Sequence, residues 1–146
     1  MQTLHKRVAS VALLLENTAG ELLIVKSSYK KHWTAPGGVI DEGETPLQAV
    51  VRETKEEIGV AIDPEAVSFV AVVMRSGPVF DTYQFIFKAA LPENQTIVLQ
   101  TEEITAYDFV TREQATANDR YYGEIIRTWA LGRTGYIEQA FESQQE

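Results

Sequence analysis

A mixed sheet with helices on both sides, in the α/β or α+β class, is the fold this sequence predicts. Three observations carry it. The run from Arg7 to Leu15 is nearly continuous in apolar residues, as in a central strand buried on both faces. Residues Pro46 to Ile58 carry a helical period with stop and start signals at the ends. Between Asp81 and Ala89, Tyr83, Phe85 and Phe87 alternate with Gln84, Ile86 and Lys88, the period-2 spacing of a strand.

The first strand is followed by a turn at Glu16 to Gly20 and a second strand from Glu21 to Lys26, so the two form a hairpin. Ser27 to His32 is polar and basic, with Lys26, Lys30 and Lys31 close together. It is either a solvated loop or a place where one or two lysines face a phosphorylated ligand. Trp33 reads as a packing residue rather than a platform for a base. Pro36, Gly37 and Gly38 read as a glycine turn that lets the chain approach a ligand closely.

Thr45 is a good N-cap for the helix that follows. Pro46 sits at a tolerated first position, Gln48 completes a capping box, and Gly59 is a natural terminator. Leu47, Val50, Val51, Thr54 and Ile58 form its core stripe. Beyond it, Asp63 to Glu65 is a turn, Ala66 to Met74 a strand, and Arg75 to Pro78 a loop before the strand at Asp81. Thr101 to Ile104 leads into a last short strand near Tyr107 to Val110. Thr111 to Gln114 is a second capping box, opening a helix interrupted near Asn118-Asp119 and resumed from Tyr122 to Leu131. Residues 1–132 read as one domain, and 133–146 as a polar, acidic tail that frays.

A chain of 146 residues is one domain by prior and buries about 70% of its unfolded surface. It has no cysteine, which removes disulfides, thiolate metal sites and thiol nucleophiles. Two histidines, His5 and His32, make a zinc site unpromising. The apolar run at Val8 to Leu15 is too short to span a membrane and no cleavage site follows it, so a cytoplasmic location is the default expectation. The formal charge of −8 argues against a nucleic acid polymer as partner. It excludes a small phosphorylated ligand less firmly, because carboxylates hold a cation and the cation meets the phosphates. A homodimer is left open.

One conflict stands out. Glu53, Glu56 and Glu57 cluster on one flank of the helix at spacings of three and four, so they are spatial neighbours and repel. They also lie in the half where the macrodipole favours cations, and Lys55 points elsewhere. A solvated acidic face is one reading. A hard divalent cation held by oxygen ligands resolves the conflict better.

The whole stretch, GGVIDEGETPLQAVVRETKEEIGV, resembles the Nudix box, G-x5-E-x7-R-E-U-x-E-E-x-G-U with U bulky and aliphatic. Gly38, Glu44, Arg52, Glu53, Glu56, Glu57, Gly59 and Val60 match; Thr54 at a U position departs. The preceding WTAPGG extends the likeness by a few residues.

This resemblance implies an α/β fold, a Nudix-like α/β/α sandwich with a mixed β-sheet. It implies a pyrophosphohydrolase dependent on Mg²⁺ (or Mn²⁺) that cleaves a nucleoside diphosphate linked to another moiety. Glu53, Glu56 and Glu57 would be metal ligands, with a carbonyl of Gly37 or else Gly38. Arg52 and Glu44 would support the site. The general base would be Glu53, or Glu102 or Glu103 from the loop before the last strand; Glu53, Glu57 and Glu103 form the candidate catalytic set. Lys30 and Arg75 are the candidate substrate-binding cations.

A nucleoside triphosphate or modified nucleotide is the first expectation for substrate. No signature for NADH or coenzyme A is present, and Pro78 and Tyr83 lie too far past the box for those of ADP-ribose and diadenosine polyphosphate enzymes. The alternative is a non-catalytic nucleotide-binding or regulatory module, against which the retention of every box glutamate weighs. An RNA decapping role is opposed by the acidic charge and by the lack of a basic, aromatic-lined stripe.

Overall fold

In the computed structural model, residues 6–100, 102–117 and 122–139 are described. The first strand, β1 (Arg7–Glu16), is central, as its apolar run implies. Val11, Leu13 and Leu15 point into one core and Ala12 and Leu14 into the other, which is why the run shows no polar alternation. It is followed by β2 (Leu22–Ser27), β3 (Gly37–Val39), α1 (Pro46–Ile58), a 3₁₀ turn at Pro64–Ala66, β4 (Ser68–Arg75) and β5 (Asp81–Ala90). Then come β6 (Ile104–Val110), α2 (Arg112–Thr116), α3 (Glu124–Ala130) and β7 (Gly135–Gln139).

The sheet order is β6-β2-β1-β5-β4-β7, with β3 paired to β1. The sheet is mixed: β1·β5 and β4·β7 are parallel, and the other pairs are antiparallel. One face packs against α1 through Val50, Ile58, Val60 and Ile62. The other packs against α2 and α3 through Ala115, Ile125, Ile126 and Trp129. The result is the three-layer α/β/α sandwich.

The β1–β2 hairpin forms, but its strands meet only at the Glu16–Leu22 register pair before they splay. The segment from Thr34 to Val39 fills the gap. Val25 and Thr34 exchange backbone hydrogen bonds of 2.7 and 2.9 Å, and the Leu13 N–H donates to the Pro36 carbonyl at 2.9 Å. Gly37 and Gly38 pair with Ala12 and Val11. The expected glycine turn is therefore a short strand wedged into the sheet. A Cβ on Gly37 would lie 2.1 Å from the Val11 carbonyl oxygen, and one on Gly38 would lie 2.5 Å from the Glu53 carboxylate. Glycine is needed here for close packing on the protein itself.

Helix α1 keeps the expected bounds. Thr45 and Gln48 form the capping box, and Gly59 ends the helix at φ 70°. Thr54 is buried on the core stripe and donates its hydroxyl to the Val50 carbonyl at 2.8 Å, so the departing residue satisfies itself within the helix.

Two expectations are corrected. The strand expected from Ala66 starts at Ser68, because Asp63 caps a 3₁₀ turn by accepting from the Glu65 N–H. The last strand is not β6: Gly135–Gln139, assigned to a fraying tail, adds to the sheet edge parallel to β4. Backbone pairing with a formed partner holds this polar segment, where its own propensity would not. The second helix runs to Thr116 and the third spans Glu124–Ala130, in keeping with expectation, while the interruption expected at Asn118-Asp119 lies outside the described residues. Among the described residues no helix is long and apolar enough to cross a membrane.

Candidate active site

The alternation of hydrogen bonds along β3 determines what its free edge presents. Pro36 and Ile40 bond to β1, so the N–H and C=O groups of Gly37 and Val39 face away from it. That edge meets the acidic flank of α1. The Gly37 N–H donates to Glu57 Oε2 at 3.0 Å, and the Val39 carbonyl accepts from Arg52 Nη2 at 3.3 Å. The Gly37 carbonyl lies along the same edge, between these two contacts.

Glu57 is buried beneath β3, with 9% of its surface exposed. This corrects the reading of the cluster as a solvated acidic face: periodicity places Glu57 beside the stripe, and β3 then covers it. Burial pushes its carboxyl up to about 8; Glu53 pushes in the same direction, while the Gly37 N–H and Lys30 oppose it. Burial also raises Glu53, against the opposing pull of Arg52. The interaction between the two carboxyls adds to this, raising Glu57 and lowering Glu53.

Arg52 relieves the rest of the repulsion. Its Nε and Nη2 form a fork onto Glu44 at 2.7 and 3.0 Å, and Nη1 reaches both Glu53 and Glu56 at 3.0 Å. The Glu44 hydrogen bond chiefly holds the guanidinium above its ordinary range, and Arg52 in turn holds the Glu44 carboxyl below its own. Glu44 is itself tied to the loop by accepting from the Asp41 N–H at 2.9 Å.

These groups open onto a cleft of about 410 Å³. Glu53, Glu56 and Glu57 form one wall with Gly37 and Gly38, while Tyr29, Lys30 and Glu103 border it from the β2 and β6 side. The Tyr29 phenol is raised first by burial and then by Glu103, Glu57 and Glu53, which puts those carboxylates in one electrostatic neighbourhood. The Ser28 N–H donates to the Glu103 carbonyl at 2.8 Å and ties that loop to the end of β2.

Of the expected site residues, Glu53, Glu56, Glu57, Gly37, Lys30 and Glu103 line the cleft, and Arg52 and Glu44 stand behind its acidic wall. Glu102 does not line it, and neither does Arg75. Arg75 points along the sheet, where it donates to Gln84 and Gln139, because its strand position aims it at its neighbours on β5 and β7. Trp33 packs against the α3-side core. Sequence reasoning missed Ser10, Ser27, Tyr29 and Gln84 as lining residues. For Gln84 a signal existed: it is a polar residue on the same face of β5 as the buried Ile86.

The donor set suits a hard divalent cation. It is all oxygen, and burial and the Glu53 charge both disfavour a negative charge on Glu57, a conflict that a bound cation would relieve. Among the described residues no group of three carboxylate or imidazole side chains is already gathered closely enough to hold a metal ion. The expected ligands are brought together only in part, with Glu56 turned onto Arg52.

The NUDIX domain family model matches residues 6–129. The chain is 35% identical over 138 residues to an uncharacterized Nudix hydrolase of Listeria innocua, covering 89% of this chain and 78% of that one. It is 49% identical over 51 residues to the RNA pyrophosphohydrolase of a Psychrobacter species, a match over 35% of this chain that spans only 30% of that enzyme's length. Among solved structures, the MutT protein of Bacillus halodurans shares the fold with a TM-score of 0.76 at 17% identity, over 95% of this chain and 93% of that one. A domain match of this extent, on a chain whose helix carries the full set of box carboxylates, places the protein in the Nudix hydrolase family.

Proposed function

We propose that this protein is a Mg²⁺- or Mn²⁺-dependent pyrophosphohydrolase of a small nucleotide, cleaving a nucleoside diphosphate linked to another moiety. A nucleoside triphosphate or modified nucleotide is the favoured class. The observation that carries this reading is the buried Glu57 carboxyl under the Gly37 edge, beside the partly buried Glu53, at the wall of an open cleft that also holds Lys30. The short match to an RNA pyrophosphohydrolase supports the reaction type. The net charge of −8 favours a small substrate over a polynucleotide.

Glu53, Glu56, Glu57 and the Gly37 carbonyl would hold the cation. When bound, it supplies charge neutralisation on phosphoryl oxygens and a more acidic water. Lys30, which lines the cleft, would meet a phosphate oxygen. Glu53 or Glu103, both of which line the cleft, would accept a proton from the attacking water. Arg52, anchored by Glu44, keeps Glu53 and Glu56 aligned on one side of the cleft.

The test is phosphate and pyrophosphate release with Mg²⁺ across canonical and oxidised nucleoside triphosphates, ADP-ribose, nucleotide sugars, NADH and dinucleoside polyphosphates. Wild type and Glu57→Gln are compared. Turnover of one class that is lost in the variant is the expected result. Nucleotide binding without turnover by the wild type would favour the non-catalytic module instead.

A further inference from the structure

The cleft has a second polar wall that the hydrolytic groups do not use. Ser10 and Gln84 line it and are register partners on the parallel strands β1 and β5. They lie on the face of the sheet that carries Ala12 and Ile86, the α3 side.

Behind Gln84 a row of side chains runs across the sheet. Gln84 is paired with Val73 on β4, two residues from Arg75, and Arg75 is paired with Gln139 on β7. Arg75 Nη1 donates to Gln84 Oε1 at 2.9 Å, and Arg75 Nε donates to Gln139 Oε1 at 2.8 Å. Gln139 Nε2 donates to Glu124 Oε2 on α3 at 3.0 Å.

The ends of this row dictate its polarity. A carboxylate only accepts, so Gln139 turns its NH₂ to Glu124 and its oxygen to Arg75. A guanidinium only donates, so the Gln84 atom that meets it is the oxygen. The alternative amide orientation would set N–H against N–H at both glutamines. The Gln84 NH₂ is therefore directed away from Arg75, on a side chain that borders the cleft.

We propose that Gln84 is a specificity-determining residue. Its amide NH₂ donates to an acceptor oxygen on the nucleoside part of the substrate, with Ser10 beside it and Arg75, Gln139 and Glu124 as positioning residues. The assignment rests on the nucleotide pyrophosphohydrolase reading above. The acceptor is a base carbonyl or a sugar hydroxyl, and both present the same oxygen chemistry.

The experiment measures kcat and KM with Mg²⁺ on two series of nucleoside triphosphates, one varying only the base and one varying only the sugar. Wild type, Gln84→Glu, Gln84→Met, Arg75→Met and Arg75→Lys are compared, with Tm as a folding control. Gln84→Glu keeps the oxygen that pairs with Arg75 and replaces the donor by an acceptor. It is expected to raise KM for the preferred substrate about tenfold at nearly constant kcat, the loss of one hydrogen bond. Discrimination then collapses within one series, and which series it is identifies the acceptor. Gln84→Met repeats the loss if the carboxylate variant does not fold. Arg75→Met is expected to follow in the same direction, with partial recovery in Arg75→Lys, which still donates to the amide oxygen. A merely structural role would lower kcat for all substrates alike. Wild-type discrimination retained by both Gln84 variants overturns the assignment and leaves the hydrolase reading standing. A wild type that turns over nothing in either series, nor any other nucleotide of the panel above, overturns both.

Discussion

Glu57 accepts a hydrogen bond from the backbone N–H of Gly37, twenty residues earlier in the chain, at 3.0 Å. This contact joins the inserted strand to the acidic helix and buries one carboxyl of the cluster. It also makes Glu57 the group whose chemistry is easiest to isolate. At neutral pH its carboxyl is protonated, so Glu57→Gln replaces one neutral acceptor with another. The variant is expected to fold with a Tm close to wild type and to lose about 10²–10³ in kcat. Turnover near the wild-type rate would remove Glu57 from the catalytic machinery.

The same group sets a pH dependence for the protein kept in EDTA. Its carboxyl is raised from 4.5 to about 8 by folding, so below about 4.5 both folded and unfolded chains hold the proton. Between those values only the folded state does, and folding stability falls as pH rises, by about 1.4 kcal/mol per pH unit for a group titrating alone. Sharing with Glu53 spreads the change over a wider range. Urea midpoints measured across this window should decline in wild type and decline less in Glu57→Gln. A wild-type midpoint that rises through the window would contradict the burial of this carboxyl.

Gly37→Ala tests the close packing of β3. The added methyl would meet backbone at 2.1 Å, and a backbone oxygen cannot swing aside as a side chain can. A loss of about 3 kcal/mol or more is expected, at the upper end of overpacking penalties. Gly20→Ala is the contrast. Its φ of 77° strains an alanine, but nothing lies within 4 Å, so the loss should be nearer 1 kcal/mol. Equal losses at the two sites, by chemical denaturation, would argue against the wedge.

Arg52→Lys keeps a positive charge but cannot fork onto Glu44 while also reaching Glu53 and Glu56. The expected outcome is a fall in kcat larger than tenfold, with Tm lowered by only a few degrees because the site is partly exposed. A variant that loses its fold before it loses activity would make this arginine chiefly a stabiliser.

Much of this could be read from the sequence, and the reasons are local. Helix α1 announced itself because caps, terminator and stripe all lie within the segment they specify. Strand β1 was legible because burial on both faces leaves an unbroken apolar run. Strand β7 was not, since Gly135 to Gln139 draws its order from β4, some sixty residues earlier. The depth of Glu57 was missed for a related reason. A helical wheel gives the angle of a side chain but not which strand crosses over it. Arg75 was misplaced because a charge near a loop looks available until its neighbours on β5 and β7 are known.

The insertion of Thr34 to Val39 between β1 and β2 has a kinetic consequence. A hairpin ordinarily zips from its turn outward within microseconds. Here zipping must stall after the Glu16–Leu22 pair, because the next rungs on each strand bond to residues from further along the chain. The parallel β1–β5 ladder adds separations of about seventy residues. The cleft therefore assembles among the last, most non-local contacts, and φ-values should be low at β3 and higher in α1. Folding intermediates of this chain would be structured proteins without an active site.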